Sequence, residues 1–115
     1  MQRVPGAPSV VPADDMAVYI VLDDFGRKLG RAYRETDEAE ADRPSVIKAF
    51  LTGQYTKPVR VVAFNTAEGW SRDVSEDIAR ELVDQAASRS VALASSARDF
   101  YERHTGEDAP SELVE

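Results

Sequence analysis

The side chains with the widest range of chemistry lie together in one short polar segment, residues 65–72. It contains an amide, a hydroxyl, a carboxylate, an indole and a guanidinium, supplied by Asn65, Thr66, Glu68, Trp70 and Arg72. An arginine can pair with an anion, and an indole can stack on a ligand or shield it from water. The segment therefore predicts either a small-ligand or anion site or a structural turn in which Trp70 covers one end of the core.

The other candidates for chemistry each have a structural alternative. His104 is the only histidine, and it would serve either in metal or acid/base chemistry or as a cation near a helix C-terminus. Asp23 and Asp24 could bind a divalent cation, but adjacent strand residues point to opposite faces, which favours a strand end. Arg27 and Lys28 lie between two glycines and form either a phosphate-binding loop tip or a solvated hairpin tip.

The composition limits the chemistry further. The chain has no cysteine, which excludes thiolate catalysis, disulfide bonds and cysteine-ligated metals. No nucleophile and base can be paired from the remaining residues. We therefore predict no catalytic residue, no metal site and no cofactor.

The patterns on either side of the polar segment predict a strand before it and a helix after it. Val59–Phe64 is apolar at five of its six positions and rich in valine, which is typical of a buried strand. Asp73 and Glu76 have the spacing of an N-cap and its capping partner, so a helix should begin near Val74. The apolar positions then recur at helical spacing, at Val74, Ile78, Ala79, Leu82, Val83 and Ala86. The unpaired N–H groups of this helix would favour an anion beside the segment, although Asp73 competes for them.

Two further strands are predicted nearer the N-terminus. Ala17–Leu22 is apolar throughout, so we expect a central strand covered on both faces, with Ile20 at the centre of the core. A hairpin loop with glycines at both ends should follow, and the charged segment Arg31–Thr36 predicts a returning edge strand. The acidic segment 37–42 is then expected to be a solvated connector.

Two further helices are predicted from their end signals. One lies within residues 42–53, where Asp42 serves as the cap, Pro44 stands in the first turn and a glycine ends the helix. The other lies within residues 95–106, begins at a serine and should pack onto the core through Phe100.

The resulting order of elements, β-β-α-β-α-α, predicts an α+β domain over residues 15–105. We expect a three-stranded antiparallel sheet in the order 2-1-3, with two to three helices packed on one face. The proline-rich residues 1–14 should form a disordered arm, and residues 106–115 a mobile acidic tail.

This topology also predicts which side chains are neighbours. Asp23 and Asp24 should lie at the sheet end opposite residues 66–70. The end of the second strand should bring Arg34 and Glu35 beside the polar segment, so we include both in the candidate ligand site.

Charge and hydropathy indicate the surroundings of the protein. The chain has 14 basic and 21 acidic side chains and a net charge of −7, which disfavours binding to nucleic acid and to anionic lipid. The first fifteen residues lack the apolar core of a secretion signal, and no apolar run is long enough to cross a membrane. We expect a cytoplasmic protein with no membrane contact.

Two segments carry a resemblance to other proteins. The stretches YIVLDDFGRKLGRAYRETD, residues 19–37, and AFNTAEGWSRDVSEDIA, residues 63–79, resemble a group of small alphaproteobacterial proteins with no assigned activity. The resemblance implies a bacterial, cytoplasmic origin and carries no reaction.

Three functions from different classes remain. The leading hypothesis is a non-enzymatic protein-binding or regulatory module whose partner is another protein or a second copy, held weakly through the exposed edge of the third predicted strand. The second is a small-ligand or anion binder, or a small enzyme, that uses the polar segment. The third is nucleic-acid binding, which the net charge opposes.

Overall fold

The computed structural model describes residues 17–26, 30–33, 41–65 and 67–113. The elements in chain order are β1 (Val18–Asp24), β2 (Arg31–Tyr33), α1 (Arg43–Leu51), β3 (Pro58–Asn65), β4 (Trp70–Asp73), α2 (Ser75–Arg89), α3 (Ser95–Thr105) and a 3-10 helix (Ser111–Leu113). The predicted disordered arm, most of the acidic connector and the second half of the predicted second strand lie outside the described residues.

The strands form one antiparallel sheet in the order β2-β1-β3-β4. The predicted α+β class, the antiparallel pairing and the order of the first three strands are confirmed. In the centre of the sheet Ile20 lies opposite Val62 and Val21 opposite Val61.

The fourth strand corrects two predictions. Residues 70–72 were expected to belong to a polar loop and Asp73 to cap the next helix, because serine, arginine and aspartate fill three of the four positions of β4. They instead pair with β3, and Gly69, with φ of 74°, closes the turn that brings the chain back. Since β4 covers the outer edge of β3, the prediction that this edge is exposed and binds another chain is wrong.

The helices begin and end close to their predicted positions. The Asp42 side chain accepts a hydrogen bond from the Ser45 N–H at 3.1 Å and caps α1. Helix α2 buries Ile78 and Leu82 completely, in the predicted stripe. Helix α3 contributes Phe100, whose ring centroid lies 4.8 Å from that of Phe50 in α1, so all three helices share one core.

Among the described residues, the core lies on one side of the sheet. Along β1, Tyr19, Val21 and Asp23 are buried, whereas the alternate residues are half-buried. The prediction that both faces of this strand are covered, with Ile20 at the centre of the core, is therefore wrong. An unbroken apolar run cannot reveal this difference, because side chains alternate between the two faces of a strand whatever their type.

The C-terminal part of the chain packs against the helices. Ala109 and Leu113 are buried, and the Leu93 N–H donates to the Leu113 carbonyl at 2.8 Å. Residues 106–113, which the sequence assigned to a tail beyond the domain, thus contribute to its core. Of the helices in the described ranges, none combines the length and apolar character needed to cross a bilayer.

Candidate functional site

The predicted ligand residues around the turn between β3 and β4 do come together, but they bond to one another. The Asn65 side-chain oxygen accepts from the Glu68 N–H at 2.9 Å, and Asn65 is 1% exposed. The Trp70 indole donates to the Glu68 carboxylate at 2.9 Å. The Arg72 guanidinium lies 4.9 Å above the Trp70 ring, within the range of a cation–π contact. These contacts favour the structural alternative, a stabilised turn.

The other three predicted ligand residues cannot be placed in this group. Thr66, Arg34 and Glu35 lie outside the described residues. Their proximity to the turn stays a prediction.

The helix that was expected to help bind an anion lies away from the turn. The four residues of β4 separate Trp70 from α2, a distance of about 13 Å for a strand. At the far end, the Ser75 N–H donates to the Asp73 carboxylate at 2.8 Å. The N–H groups of α2 therefore do not face the turn. A shallow cavity of about 260 Å³ lies beside Trp70.

Asp73 and Ser75 fasten α2 to the sheet. The Val61 N–H donates to the Ser75 hydroxyl at 2.9 Å. Partial burial raises the pKa of Asp73, but hydrogen bonds from Ser75 and the charges of His104 and Arg60 outweigh that effect and hold the pKa below its ordinary value. The ionised carboxylate therefore stabilises this junction.

A larger cleft, of about 750 Å³, lies at the opposite end of the sheet. It is lined by Asp24, Phe25, Gly26, Gly30, Arg31, Thr56, Lys57, Pro58, Ser95, Ser96, Asp99 and Arg103. Arg31 lies 3.6 Å from Asp24, and the Arg103 guanidinium donates to the Pro58 carbonyl at 3.1 Å. A hydrogen bond from the Gly26 N–H holds the pKa of Asp24 below its ordinary value. The cleft draws on three separated parts of the chain, so no local pattern indicates it.

Asp23 has a structural role behind this cleft. Its carboxylate is completely buried and accepts hydrogen bonds from the N–H groups of Lys57 at 2.7 Å, Thr56 at 3.0 Å and Asp24 at 3.2 Å. These bonds fix the segment before β3 where the β1–β3 register shifts. As predicted, Asp23 and Asp24 lie at the sheet end opposite the β3–β4 turn.

His104 is also held by structural contacts. Its Nε2 atom lies 2.7 Å from the Val59 carbonyl oxygen, so this nitrogen carries a proton and donates it. The ring packs against Phe100, with 4.5 Å between ring centroids. Within the described ranges, no group of three histidine or acidic side chains is placed to hold a metal ion.

The side of the sheet away from the helices is apolar where it is expected to be polar. We define the open face as Val18, Ile20, Leu22, Val62, Phe64 and Tyr33. The register pairs Val18 with Phe64, Ile20 with Val62 and Leu22 with Tyr33, and Tyr33 is 50% exposed. Antiparallel sheets with one solvated face normally alternate between apolar and polar residues. Here the two central strands are apolar on both faces, although the helices pack on only one.

Charged side chains flank the open face on two sides. Arg60 lies opposite Leu22, and Asp73 lies opposite Val62. The Arg31–Asp24 pair closes one corner. An apolar centre with a polar rim is the usual arrangement of a protein-binding surface.

Comparisons with protein-family models, with curated proteins and with solved structures find no match to this chain.

Proposed function

We propose that the protein is a non-enzymatic binding module that associates with another polypeptide through the open face. The observation that carries the proposal is the apolar character of this face on both central strands, opposite the helices. The four strands and the seven residues of β1 limit the whole sheet face to about 19 Å by 24 Å, or roughly 450 Å². Of its six apolar residues, Tyr33 is exposed and the other five are half-buried. An apolar patch within a face of this size is compatible with an interaction site.

The location that we propose is the bacterial cytoplasm. The absence of cysteine supports a reducing compartment. The acidic net charge opposes nucleic acid as the partner, whereas an apolar sheet face suits a folded protein surface.

The proposal requires that the open face be accessible in the free chain. We would measure the relaxation of methyl signals by a neutral, water-soluble nitroxide in a dilute sample. The methyl groups of Ile20 and Val62 should relax strongly, whereas those of Ile78, which is completely buried, serve as the protected control. If Ile20 and Val62 are as protected as Ile78 in the dilute sample, the chain covers its own face and the proposal fails.

The second candidate function is binding of a small ligand, and the volume of the larger cleft favours it. About 750 Å³ falls within the range of roughly 300–1,000 Å³ found for small-molecule sites. Phe25 provides an apolar wall, and Lys57 and Arg103 provide positive charge.

A chemical-shift screen with phosphate, nucleotides and small carboxylates tests the candidate ligand sites. Binding in the cleft should perturb the amides of Lys57, Ser95 and Ser96. Shifts confined to residues 65–72 would favour the turn instead. Unchanged spectra with all of these compounds would reject both sites for these ligands.

A further inference from the structure

We propose that the partner on the open face is a second copy of this chain, so that two sheets stack face to face about a twofold axis. This inference rests on the proposed function of the open face as a binding surface. It adds the identity of the partner and the side chains that meet.

The charges at the open face fit a second copy better than a strongly charged partner. The chain as a whole carries a net charge of −7, but Arg60 and Asp73 at this face balance, as do Arg31 and Asp24. Among the described residues, those at this face therefore carry no acidic excess that would attract a basic partner. At physiological salt the repulsion between two acidic copies is screened beyond about 8 Å, so it does not prevent contact at a neutral face.

The sheet register makes the face complementary to itself. Asp73 continues the Ile20–Val62 row on β4, and Arg60 lies two residues before Val62 along β3, so Arg60 and Asp73 are diagonal neighbours beside this pair. A twofold axis between the two sheets, passing over the pair and running diagonally to the strands, sets Arg60 of one copy near Asp73 of the other. The interface is then isologous, because each contact occurs twice.

The same axis also matches the apolar residues. Phe64 and Leu22 lie on opposite sides of the Ile20–Val62 pair. Rotation about the axis brings Phe64 of one copy near Leu22 and Tyr33 of the other, and Ile20 and Val62 near their own counterparts. A single arrangement thus buries the apolar centre and pairs the charges.

The strand edges offer a poorer route to association. The described part of the outer strand β2 is three residues long, and β4 presents the polar and charged residues Ser71, Arg72 and Asp73 on a strand of four. Short, charged edges discourage strand addition. Contact through the face is therefore favoured over contact through an edge.

The size of the face indicates a weak dimer. Its footprint of roughly 450 Å² is smaller than the about 800 Å² that each partner contributes to a standard interface. We expect a dissociation constant in the micromolar range or weaker, with monomer and dimer both present at accessible concentrations.

Sedimentation equilibrium over a concentration series tests the assignment. The wild-type mass should rise from 12.7 kDa towards twice that value. Ile20→Lys should weaken association at least tenfold, because it places a charge at the axis. The control Val91→Lys alters an apolar residue, 42% exposed, in the α2–α3 connector and should leave association unchanged.

A second variant avoids altering the apolar residues. Arg60→Glu, at an exposed position, should also weaken the dimer because it faces Asp73 of the second copy. Adding Asp73→Asn to that variant should restore part of the association, since it removes the new repulsion. If Arg60→Glu associates as tightly as wild type, the proposed axis is wrong.

The two proposals fail in distinguishable ways. Suppose that the protein is a monomer at every concentration and that the nitroxide reaches the Ile20 and Val62 methyl groups. The dimer proposal would then be wrong, and the partner at the open face would be a different protein. Protected methyl groups in the dilute monomer would overturn the binding surface itself.

Discussion

Removal of the buried Asp23 carboxylate should destabilise the fold more than any other single change of a charged residue at the cleft end of the sheet. In Asp23→Ala the N–H groups of Lys57 and Thr56 lose acceptors at 2.7 and 3.0 Å. Hydrogen bonds to a charged group contribute about 1.5–3 kcal/mol each. Lys57 and Thr56 are themselves exposed, so water can replace part of the loss. We expect a decrease of about 3 kcal/mol in the free energy of unfolding, a large share of the roughly 5–15 kcal/mol typical of a domain.

Urea unfolding followed by circular dichroism in a dilute sample measures this effect. With a slope of about 1–3 kcal/mol per M urea, the midpoint should fall by roughly 1–3 M. Asp23→Asn should lose less, because one side-chain oxygen remains as an acceptor. The matched control Asp99→Ala, whose side chain is 62% exposed, should change stability by less than about 0.5 kcal/mol. A loss below about 1 kcal/mol in Asp23→Ala, close to that of a surface change, would refute the role assigned to Asp23.

Three further predictions concern the two faces of the sheet and its ends. Val21→Ala should lower the free energy of unfolding by about 2 kcal/mol, because Val21 faces the helices. Urea unfolding of dilute samples should show at least twice the loss found for Ile20→Ala, and equal losses would contradict a one-sided core. The pKa of Asp73 is lowered in the folded state, so its ionised form stabilises the fold above the unfolded pKa of about 3.9 and that contribution disappears as the pH falls through the folded pKa. Asp73→Asn should therefore make stability less dependent on pH in acid, and an unchanged pH profile would reject the assignment. Glu68→Ala should shift the emission of Trp70, the only tryptophan, towards that of a water-exposed indole, with a stability change of less than about 0.5 kcal/mol; unchanged emission would contradict the Glu68 contact.

The helices and the central strands could be predicted because their signals are local. Asp42 and Pro44 mark the start of α1, and the spacing of Ile78, Leu82 and Ala86 gives the buried side of α2. Each signal depends on residues within one or two turns, and the structure preserves the local geometry that they favour.

Strand β4 could not be predicted because its stability comes from pairing. Ser71, Arg72 and Asp73 have little intrinsic preference for a strand. They adopt one because Gly69 turns the chain back along β3, which supplies hydrogen-bond partners. Only knowledge of the neighbouring strand would have indicated this.

The candidate surfaces were missed for two different reasons. The apolar run of β1 is compatible with a strand that is buried on one face or on both faces. The sequence does not indicate whether helices cover one side of the sheet or both. The larger cleft joins Lys57 to Ser95 and Arg103, residues that are distant in sequence. The β3–β4 turn was found because its residues are adjacent, but adjacency did not reveal that Glu68 and Trp70 bond to each other.

The measurement that tests the central claim most directly is an isotope-filtered NOE experiment on an equal mixture of carbon-13-labelled and unlabelled chains. The concentration should be roughly millimolar, so that it exceeds the expected dissociation constant. We predict intermolecular contacts from Ile20 methyl groups to those of Ile20 and Val62, and from the Phe64 ring to Leu22. Absence of intermolecular signals at that concentration, or signals confined to the helix side near Val91, would contradict a face-to-face dimer through the open face.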